Sequence, residues 1–280
     1  MKNAKTSLMR TLVFGVVLFS AILLIAADNS KEITNKFTVT TGSYLLLENV
    51  NGDVVITSWN KNEIDVKAKL RANNEEALSN TNLKMEQVGN EVRIEVKYKE
   101  FNKDGFWAFI KYLKHMGHGA NATVDFDIKV PAYLHLKSID TVNGDVRISK
   151  VSGNVNVETV NGEIELVEVG KRVTADTVNG SIDVIMSTLE DDVKLETVNG
   201  RIRIYLPGEI NADVKAENIN GSIKTDFPLT VSGKIAGKEI YGKIGRGGNT
   251  ISCETINGSI QILKKEETEK KPKILESPTP

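Results

Sequence analysis

The sequence predicts an all-β protein built as a parallel β-solenoid, and three observations support this prediction. A Thr-Val-Asn-Gly unit or a close variant of it returns every 18 to 21 residues through five successive copies. Apolar and polar residues alternate on both sides of each copy, which is the period of a β-strand. Equivalent positions in the copies are apolar, as the continuous core of a stacked repeat requires.

The repeated unit marks the corners of the predicted rungs. A sixth copy follows after a longer gap, and Ile240-Tyr241-Gly242 is interpreted as a degenerate copy within that gap. An isolated early copy, Asn49-Val50-Asn51-Gly52, stands near the start. The predicted structural corners are Asn143-Gly144, Asn161-Gly162, Asn179-Gly180, Asn199-Gly200, Asn220-Gly221 and Asn257-Gly258.

Two arrangements fit this period: a series of hairpins, or a coil whose successive rungs stack in parallel. Hairpins would not require the same residue types in register over six copies, so the apolar columns favour stacking. The column before the corner is Ile139, Val157, Ala175, Leu195, Ala216 and Cys253; the column after it is Val146, Ile164, Ile182, Ile202, Ile223 and Ile260.

The corner residues are expected to have a structural role. Asn and Gly tolerate positive φ, so each pair allows a sharp turn between two strands. Stacked asparagines at one corner predict a ladder of side-chain amides, as in other in-register stacks. Cys253 falls in an inward column and is interpreted as a small buried hydrophobe rather than a reactive thiol.

The N-terminus has the layout of a secretory signal peptide. Lys2, Lys5 and Arg10 precede an apolar stretch over residues 12–27. The protein is therefore expected to be exported, to the periplasm, the cell surface or the medium. The alternative is an uncleaved membrane anchor over residues 11–27, because the stretch ends in an imperfect cleavage site.

The remaining chain divides into four parts. Residues 28–70 are predicted to form the first rung and N-terminal strands, 71–123 an insertion, 124–263 the repeat solenoid, and 264–280 a disordered charged tail. Within the insertion, residues 74–79 predict a helical turn or two, and Gly89-Asn90 lies between two strand patterns that predict a hairpin.

An aromatic and basic segment over residues 106–116 is unusual in a chain that is only 6% aromatic. Its near-helical apolar face suits a membrane interface or a partner protein. The alternative is a cap on the open end of the solenoid. The candidate binding residues are Phe106, Trp107, Phe109, Lys111, Tyr112 and Lys114.

An acidic residue precedes each corner threonine and points outward by the alternation. Like charges that stack in adjacent strands are destabilising, so a compensating group is expected. Calcium is one candidate, held by Asp140, Glu158, Asp176 and Glu196; no other cofactor is predicted. The alternative is solvation with neighbouring Arg147, Lys194, Arg203 and Lys215. The column also contains Glu217 and Glu254, with Glu48 and Glu239 in the imperfect copies.

Composition and motifs argue against two functional classes. With 36 basic and 37 acidic residues, the chain has no basic excess to attract nucleic acid. A glycan-cleaving enzyme needs a local carboxylate pair, whereas these acids repeat uniformly. The one acidic cluster that departs from the repeat, Glu190-Asp191-Asp192, is interpreted as a solvated turn.

The corner series resembles a known family of bacterial adhesin-like proteins with β-strand repeats, the domain family DUF4097, related to head-domain autotransporter adhesins. The resemblance also rests on Ile128-Lys129-Val130-Pro131, which leads into Leu134-His135-Leu136, and on the first rung, Asn51-Gly52-Asp53-Val54-Val55-Ile56. It covers residues 37–263. It implies a right-handed solenoid and export, and it supplies no catalytic residues.

Together these features predict an exported, non-enzymatic adhesin or cell-envelope module that binds a partner or acts as a structural element. The expected partners are a cell-surface glycan, an envelope protein or a membrane surface. Two alternatives stay open: a polysaccharide-active enzyme on a β-helix scaffold, and a membrane-anchored protein that binds an envelope partner.

Overall fold

The computed structural model describes residues 29–98, 122–231 and 239–265. Within these ranges the chain is all-β apart from one short helix, α1 (Glu75–Asn80). None of the described residues form a helix with the length and hydrophobicity needed to span a bilayer. The strands are β1 (Ser30–Thr38), β2 (Tyr44–Glu48), β3 (Val54–Trp59), β4 (Glu63–Ala72), β5 (Thr81–Val88), β6 (Glu91–Tyr98), β7 (Ala122–Pro131), β8 (His135–Asp140), β9 (Val146–Ser149), β10 (Val155–Asn161), β11 (Ile164–Val169), β12 (Val173–Asn179), β13 (Ile182–Met186), β14 (Val193–Asn199), β15 (Ile202–Leu206), β16 (Ala212–Asn220), β17 (Ile223–Thr225), β18 (Thr230–Val231), β19 (Glu239–Ile244), β20 (Asn249–Asn257) and β21 (Ile260–Lys264).

The strands form two large sheets that are mostly parallel. Sheet A has the order β1-β4-β7-β3-β9-β11-β13-β15-β21-β17, and sheet B the order β18-β19-β16-β20-β14-β12-β10-β8-β2-β6-β5. Each repeat supplies one strand to sheet B, turns at its corner, and supplies the next strand to sheet A. Matching residues pair in register, as Thr159 does with Thr177 and Ile164 with Ile182. The predicted parallel stacking of repeats is confirmed, and the hairpin alternative for the repeats is wrong.

The core lies between the inward residues of the two sheets. Strands such as β12 and β13 alternate buried and half-buried residues, which is the period-two pattern that the sequence shows. Both predicted apolar columns are inside: each residue is at most 1% exposed, except Ile223, which is half-buried at the end of sheet A. Full burial of one such aliphatic side chain contributes roughly 1.5 to 3 kcal/mol, so the repeated columns drive the stacking.

The stacking order at the C-terminal end differs from the order along the chain. The last copy, with strands β20 and β21, pairs directly with β14 and β15. The preceding copy, with β16 and β17, lies outside it. The expectation that successive rungs stack in sequence is therefore wrong for these two copies, because the final repeat inserts between two earlier ones.

The predicted degenerate corner Ile240-Tyr241-Gly242 is also wrong. These residues lie in the middle of β19, which runs antiparallel to β16 and pairs Tyr241 with Lys215. Strand β18 then pairs antiparallel with β19. Sheet B thus ends in antiparallel strands rather than in another parallel rung.

The N-terminal end has a matching arrangement. The first repeat, β2 and β3, is separated from the others in sequence but lies between β6/β7 and β8/β9. Antiparallel strands β1 and β4 complete sheet A, and the hairpin of β5 and β6 completes sheet B. The predicted hairpin and helical turn are both present, and the Asn74 side chain caps α1 by accepting from the Ala77 amide at 2.8 Å.

Glycine at the corners is required by close stacking more than by backbone conformation. A Cβ on Gly180 would overlap the carbonyl group of Gly162 in the neighbouring repeat, with 2.6 Å to its carbon. The same overlap occurs at the equivalent glycines of the other central repeats. Among the corner glycines, only Gly52 and Gly221 have a positive φ, of 119° and 156°. The expectation that positive φ explains every Asn-Gly corner is therefore wrong.

The asparagines form the predicted amide ladder. Each Nδ2 donates to the Oδ1 of the neighbouring asparagine, for example from Asn161 to Asn143 at 2.9 Å and from Asn179 to Asn161 at 2.8 Å. The corner threonines add a second ladder, since the Thr197 hydroxyl donates to the Gly180 carbonyl at 2.9 Å. The amide ladder runs through Asn51, Asn143, Asn161, Asn179, Asn199, Asn257 and Asn220.

Candidate functional site

The outer face of sheet B carries an uninterrupted row of acidic side chains, here called the carboxylate column. Because these residues occupy equivalent positions in neighbouring strands, parallel pairing stacks them about 4.8 Å apart. All the acids predicted to align do so, and Glu95 of the hairpin extends the row by one strand. In order, the column is Glu95, Glu48, Asp140, Glu158, Asp176, Glu196, Glu254, Glu217 and Glu239.

Cations balance the two ends of this column but not its middle. At one end Arg93 lies 3.5 Å from Glu95 and 3.8 Å from Glu48. At the other end Lys215 lies 2.6 Å from Glu254. Four acids of the column have no ion pair within 4.0 Å among the residues that the structure describes: Asp140, Glu158 and Asp176 in its middle, and Glu239 at its end.

Two of the four cations expected to neutralise the column lie elsewhere. Lys194 contacts Glu196 at 2.8 Å, and Lys215 contacts Glu254 and Glu217. Arg147 and Arg203, however, belong to β9 and β15 of sheet A. Their expected place beside the column is wrong, because the corner between the two strands of a repeat moves the later residues to the other sheet.

Burial and mutual repulsion alter the acidity of the column. The pKa of Asp140 is raised to about 7, mainly by desolvation; the Ser138 hydroxyl opposes the shift, and the carboxylates of Glu158 and Glu48 add to it. Desolvation, with the nearby Glu196 carboxylate, raises the pKa of Asp176 to about 6. Part of the column is therefore protonated near neutral pH, which relieves repulsion between stacked carboxylates.

The predicted calcium ligands are brought together only as this linear row. Asp140, Glu158, Asp176 and Glu196 are consecutive in it. Across the described ranges, no group of three or more His, Cys, Asp or Glu side chains has a geometry that could hold a metal ion. A calcium role for these four residues stays a prediction.

A second column, which was not predicted from the sequence, runs beside the acids. Two residues after seven of the nine acids stands a valine or isoleucine on the same outer face, so the Glu-Thr-Val unit places a carboxylate and an aliphatic group side by side. Its side chains are buried at one end of the stack, with 3% exposure at Val50 and 7% at Val142, and exposed at the other, with 41% at Ile256 and 54% at Ile219. This aliphatic column consists of Val50, Val142, Val160, Val178, Val198, Ile256 and Ile219.

A sequence signal for the aliphatic column was available. The second residue of the repeated Thr-Val-Asn-Gly unit lies two positions after the acid. The alternation along the strand therefore directs its side chain outward as well. An apolar residue at every outward position of this kind is unusual for a solvated sheet face. Glu95 had no such signal, because it lies in a hairpin without a corner motif.

The predicted aromatic and basic binding residues lie outside the described residues. These are Phe106, Trp107, Phe109, Lys111, Tyr112 and Lys114. Their chain segment connects β6 in sheet B with β7 in sheet A.

Two other candidates have structural contacts. Asp191 pairs with Arg172 at 3.0 Å, and Asp192 accepts a hydrogen bond from the Thr250 amide at 2.7 Å, which is how acids hold a turn. Cys253 is fully buried, and desolvation raises the pKa of its thiol to about 12. The interpretations of a turn and of a buried small hydrophobe are confirmed.

Comparison with known proteins gives a family match and distant structural neighbours. The family model described as Toastrack DUF4097 matches residues 127–263. No curated protein matches the chain.

The solved structures that are similar to this chain have low identity. A "putative cell adhesion protein" from Clostridium sporogenes is 18% identical, with a TM-score of 0.46 and coverage of 84% of this chain and 100% of that one. A "putative lipid binding protein" from Parabacteroides distasonis is 16% identical, with a TM-score of 0.34 and coverage of 84% and 97%. A "putative adhesin" from Bacteroides fragilis is 11% identical, with a TM-score of 0.29 and the same coverage.

Proposed function

Residues 127–263 belong to the Toastrack DUF4097 family, and from this premise we propose that the chain is an exported, non-enzymatic binding module of the cell envelope. In this proposal the stacked repeats form a right-handed parallel β-solenoid with rungs of 18 to 21 residues. The basic and apolar N-terminus, residues 2–27, directs the chain out of the cytoplasm and is either cleaved or kept as an anchor.

The observation that carries the proposal is the outer face of sheet B. It presents a carboxylate column and an aliphatic column in register, on strands held by the amide and threonine ladders. Neither column stabilises the fold in an obvious way: stacked like charges repel, and aliphatic groups such as Ile219 and Ile256 are left 54% and 41% exposed. A repeated surface that costs stability is typical of a binding face.

The polysaccharide-cleaving alternative has less support. Paired carboxylates act in glycoside hydrolysis when one is an acid and the other a base or nucleophile at a defined separation within a binding cleft. Here the acids repeat along a sheet face, and the separate cluster at Glu190, Asp191 and Asp192 is used in turn contacts. No local pair with divergent environments stands out from the repeat in the described part of the chain.

The test is sedimentation of the labelled full chain with isolated bacterial cell envelopes. We expect retention that falls at least tenfold in the variant Glu196→Gln with Ile256→Ser, which changes one acid and one aliphatic residue of sheet B. The control, Glu165→Gln with Val167→Ser, changes one acid and one aliphatic residue on the outer face of β11 of sheet A and should leave retention unchanged.

Two results would contradict the proposal. One is equal retention of the sheet B variant, the control and the unmodified chain, since the outer face of sheet B would then have no part in binding. The other is release of reducing sugar ends from an envelope polysaccharide by the purified chain, which would favour the enzyme instead.

A further inference from the structure

The exposed part of the outer face of sheet B has dimensions that suit a particular kind of ligand. Between Val160 on β10 and Ile219 on β16, the aliphatic column spans five adjacent strands, which is about 19 Å at the strand spacing of a sheet. On each strand the acid and the aliphatic residue are two positions apart, or about 6.6 Å. The face is thus a pair of parallel stripes, one negative and one apolar.

An α-helix lying along the stack would match both stripes. A helix rises 1.5 Å per residue, so about 13 residues cover this length, and its diameter of about 10 Å spans both columns. Residues on one face of a helix recur about every 5.4 Å, close to the 4.8 Å step between strands. A helix with a cationic stripe beside an apolar stripe therefore places one side chain of each kind near each repeat.

The negative charge of this face determines which charge a partner must carry. Glu158 and Asp176 have no ion pair among the described residues, and Lys194 and Lys215 are already paired with acids of the column. Anionic partners such as phosphate-rich polymers or acidic lipid surfaces would be repelled. A bare metal ion would leave the aliphatic column without a partner, whereas a cationic amphipathic helix satisfies both columns.

We propose that the outer face of sheet B, from Glu158 to Glu217, docks a cationic amphipathic helix of a partner protein. This inference rests on the proposed function and specifies its ligand. Lysine or arginine side chains of the helix pair with Glu158 and Asp176, which have no ion pair among the described residues. Leucine-like side chains of the helix cover Val178, Ile256 and Ile219, the most exposed members of the aliphatic column.

The experiment uses a designed probe with the full chain. The probe is a fluorescein-labelled peptide of about 14 residues, with a lysine stripe beside a leucine stripe on one helical face. Fluorescence anisotropy measures its affinity at low and high salt. The control probe has glutamate in place of each lysine and should not bind.

The expected results distinguish specific binding at the outer face of sheet B from nonspecific adsorption of the probe. Glu158→Gln with Ile256→Ser should weaken binding of the lysine probe at least tenfold, and salt should weaken it in the unmodified chain. Glu165→Gln with Val167→Ser on sheet A should change the affinity less than twofold. Equal binding of the two probes, or equal losses in the two variants, would overturn the inference.

A second occupant is tested in the same assay. Lys111→Gln with Lys114→Gln changes the chain's own aromatic and basic segment. If this variant binds the lysine probe at least tenfold more tightly, that segment occupies the face in the native chain and the external partner is overturned. If the unmodified chain binds the lysine probe but is not retained by envelopes, the proposed function alone is refuted. If envelope retention depends on sheet B but the probe does not bind, this inference alone is refuted.

Discussion

The outer faces of the two sheets carry charge in opposite ways. On sheet A, the central row reads Arg147, Glu165, Asp183 and Arg203, so that cations and anions meet across the strands. Arg203 holds Asp183 with two hydrogen bonds of 2.7 and 2.6 Å. On sheet B, the equivalent row is a single column of nine acids. One fold thus supports both a neutralised face and a repelling face.

The difference shows what in-register stacking does to a sequence repeat. Parallel pairing places each residue beside its own equivalent, so an unchanged outward position accumulates one kind of side chain over the whole stack. Sheet A avoids this by varying the residue at the charged position between copies. Sheet B keeps an acid in each copy, and like charges therefore accumulate along its whole stack.

The largest expected effect concerns the corner that joins both faces. Gly180→Ala places a Cβ on the backbone of Gly162, so the two repeats must separate. We expect the free energy of unfolding to fall by about 4 kcal/mol, at the upper end of single substitutions. Urea denaturation measures it.

The matched control is Gly208→Ala, where a Cβ would meet no atom within 4 Å and φ is not in the left-handed region. This variant should change the free energy of unfolding by less than about 0.5 kcal/mol. Similar losses in both variants would show that close stacking at the corner does not explain the repeated glycine.

The next effect distinguishes the two faces by pH. The folded-state pKa values of Asp140 and Asp176 are raised to about 7 and about 6, so these groups contribute stability that is full below pH 4 and lost as pH rises through those values. The contribution of Asp176 is reduced because solvent screens its charge. The free energy of unfolding should therefore be about 3 kcal/mol higher at pH 5 than at pH 8.

Urea denaturation at both pH values checks this prediction, and Asp140→Asn provides the control. The asparagine cannot ionise, so most of the pH dependence should disappear and the variant should be more stable than the parent at pH 8. A parent chain that is more stable at pH 8 than at pH 5 would contradict the assignment of raised pKa values to the carboxylate column.

The sequence predicts the repeating part of the fold well and its ends poorly. Alternation and corner motifs locate the buried columns, because Ile164 and Ile182 must face one core whatever the order of the repeats. The order of the repeats in the sheet depends on which strand pairs with an open edge. Both β16 and β20 have residues that match the edge of β14. Nothing local in Thr255-Ile256-Asn257-Gly258 tells which neighbour it will choose.

The candidate site was predictable where the alternation of inward and outward side chains along a strand determines which face a residue occupies. The acids were expected on one outer face and lie there, and the aliphatic column follows from the same rule applied to Val160 or Val178. The neighbouring cations were not predictable in this way. Arg147 and Lys194 both lie close in sequence to acids, but a corner separates Arg147 from Asp140 and none separates Lys194 from Glu196.

A smaller effect tests the neutralised face. Asp183 and Arg203 are half-buried and joined by a bidentate pair, the geometry in which a salt bridge contributes measurably. In a double-mutant cycle with Asp183→Asn and Arg203→Gln, we expect a coupling free energy of about 1 kcal/mol. A coupling near zero would mean that the mixed charges of sheet A merely avoid repulsion and add no attraction.

The smallest effect tests the repelling face directly. Glu158 lies between Asp140 and Asp176 and has no ion pair among the described residues, so Glu158→Gln should raise the free energy of unfolding by about 0.5 kcal/mol at pH 8. Glu196→Gln should gain less, because Glu196 also loses its contact with Lys194 at 2.8 Å. Urea denaturation of both variants and of the double variant gives the values.

Salt provides the internal control for this last prediction. Ions screen repulsion between exposed charges, so the gain from Glu158→Gln should shrink at high ionic strength. At pH 5 it should also shrink, since protonation of Asp140 and Asp176 removes most of the charge of both repelling neighbours. A double variant, Glu158→Gln with Glu196→Gln, that is less stable than the parent at pH 8 would show that the column is held by attraction. Simple repulsion on sheet B, and with it the contrast between the two faces, would then be refuted.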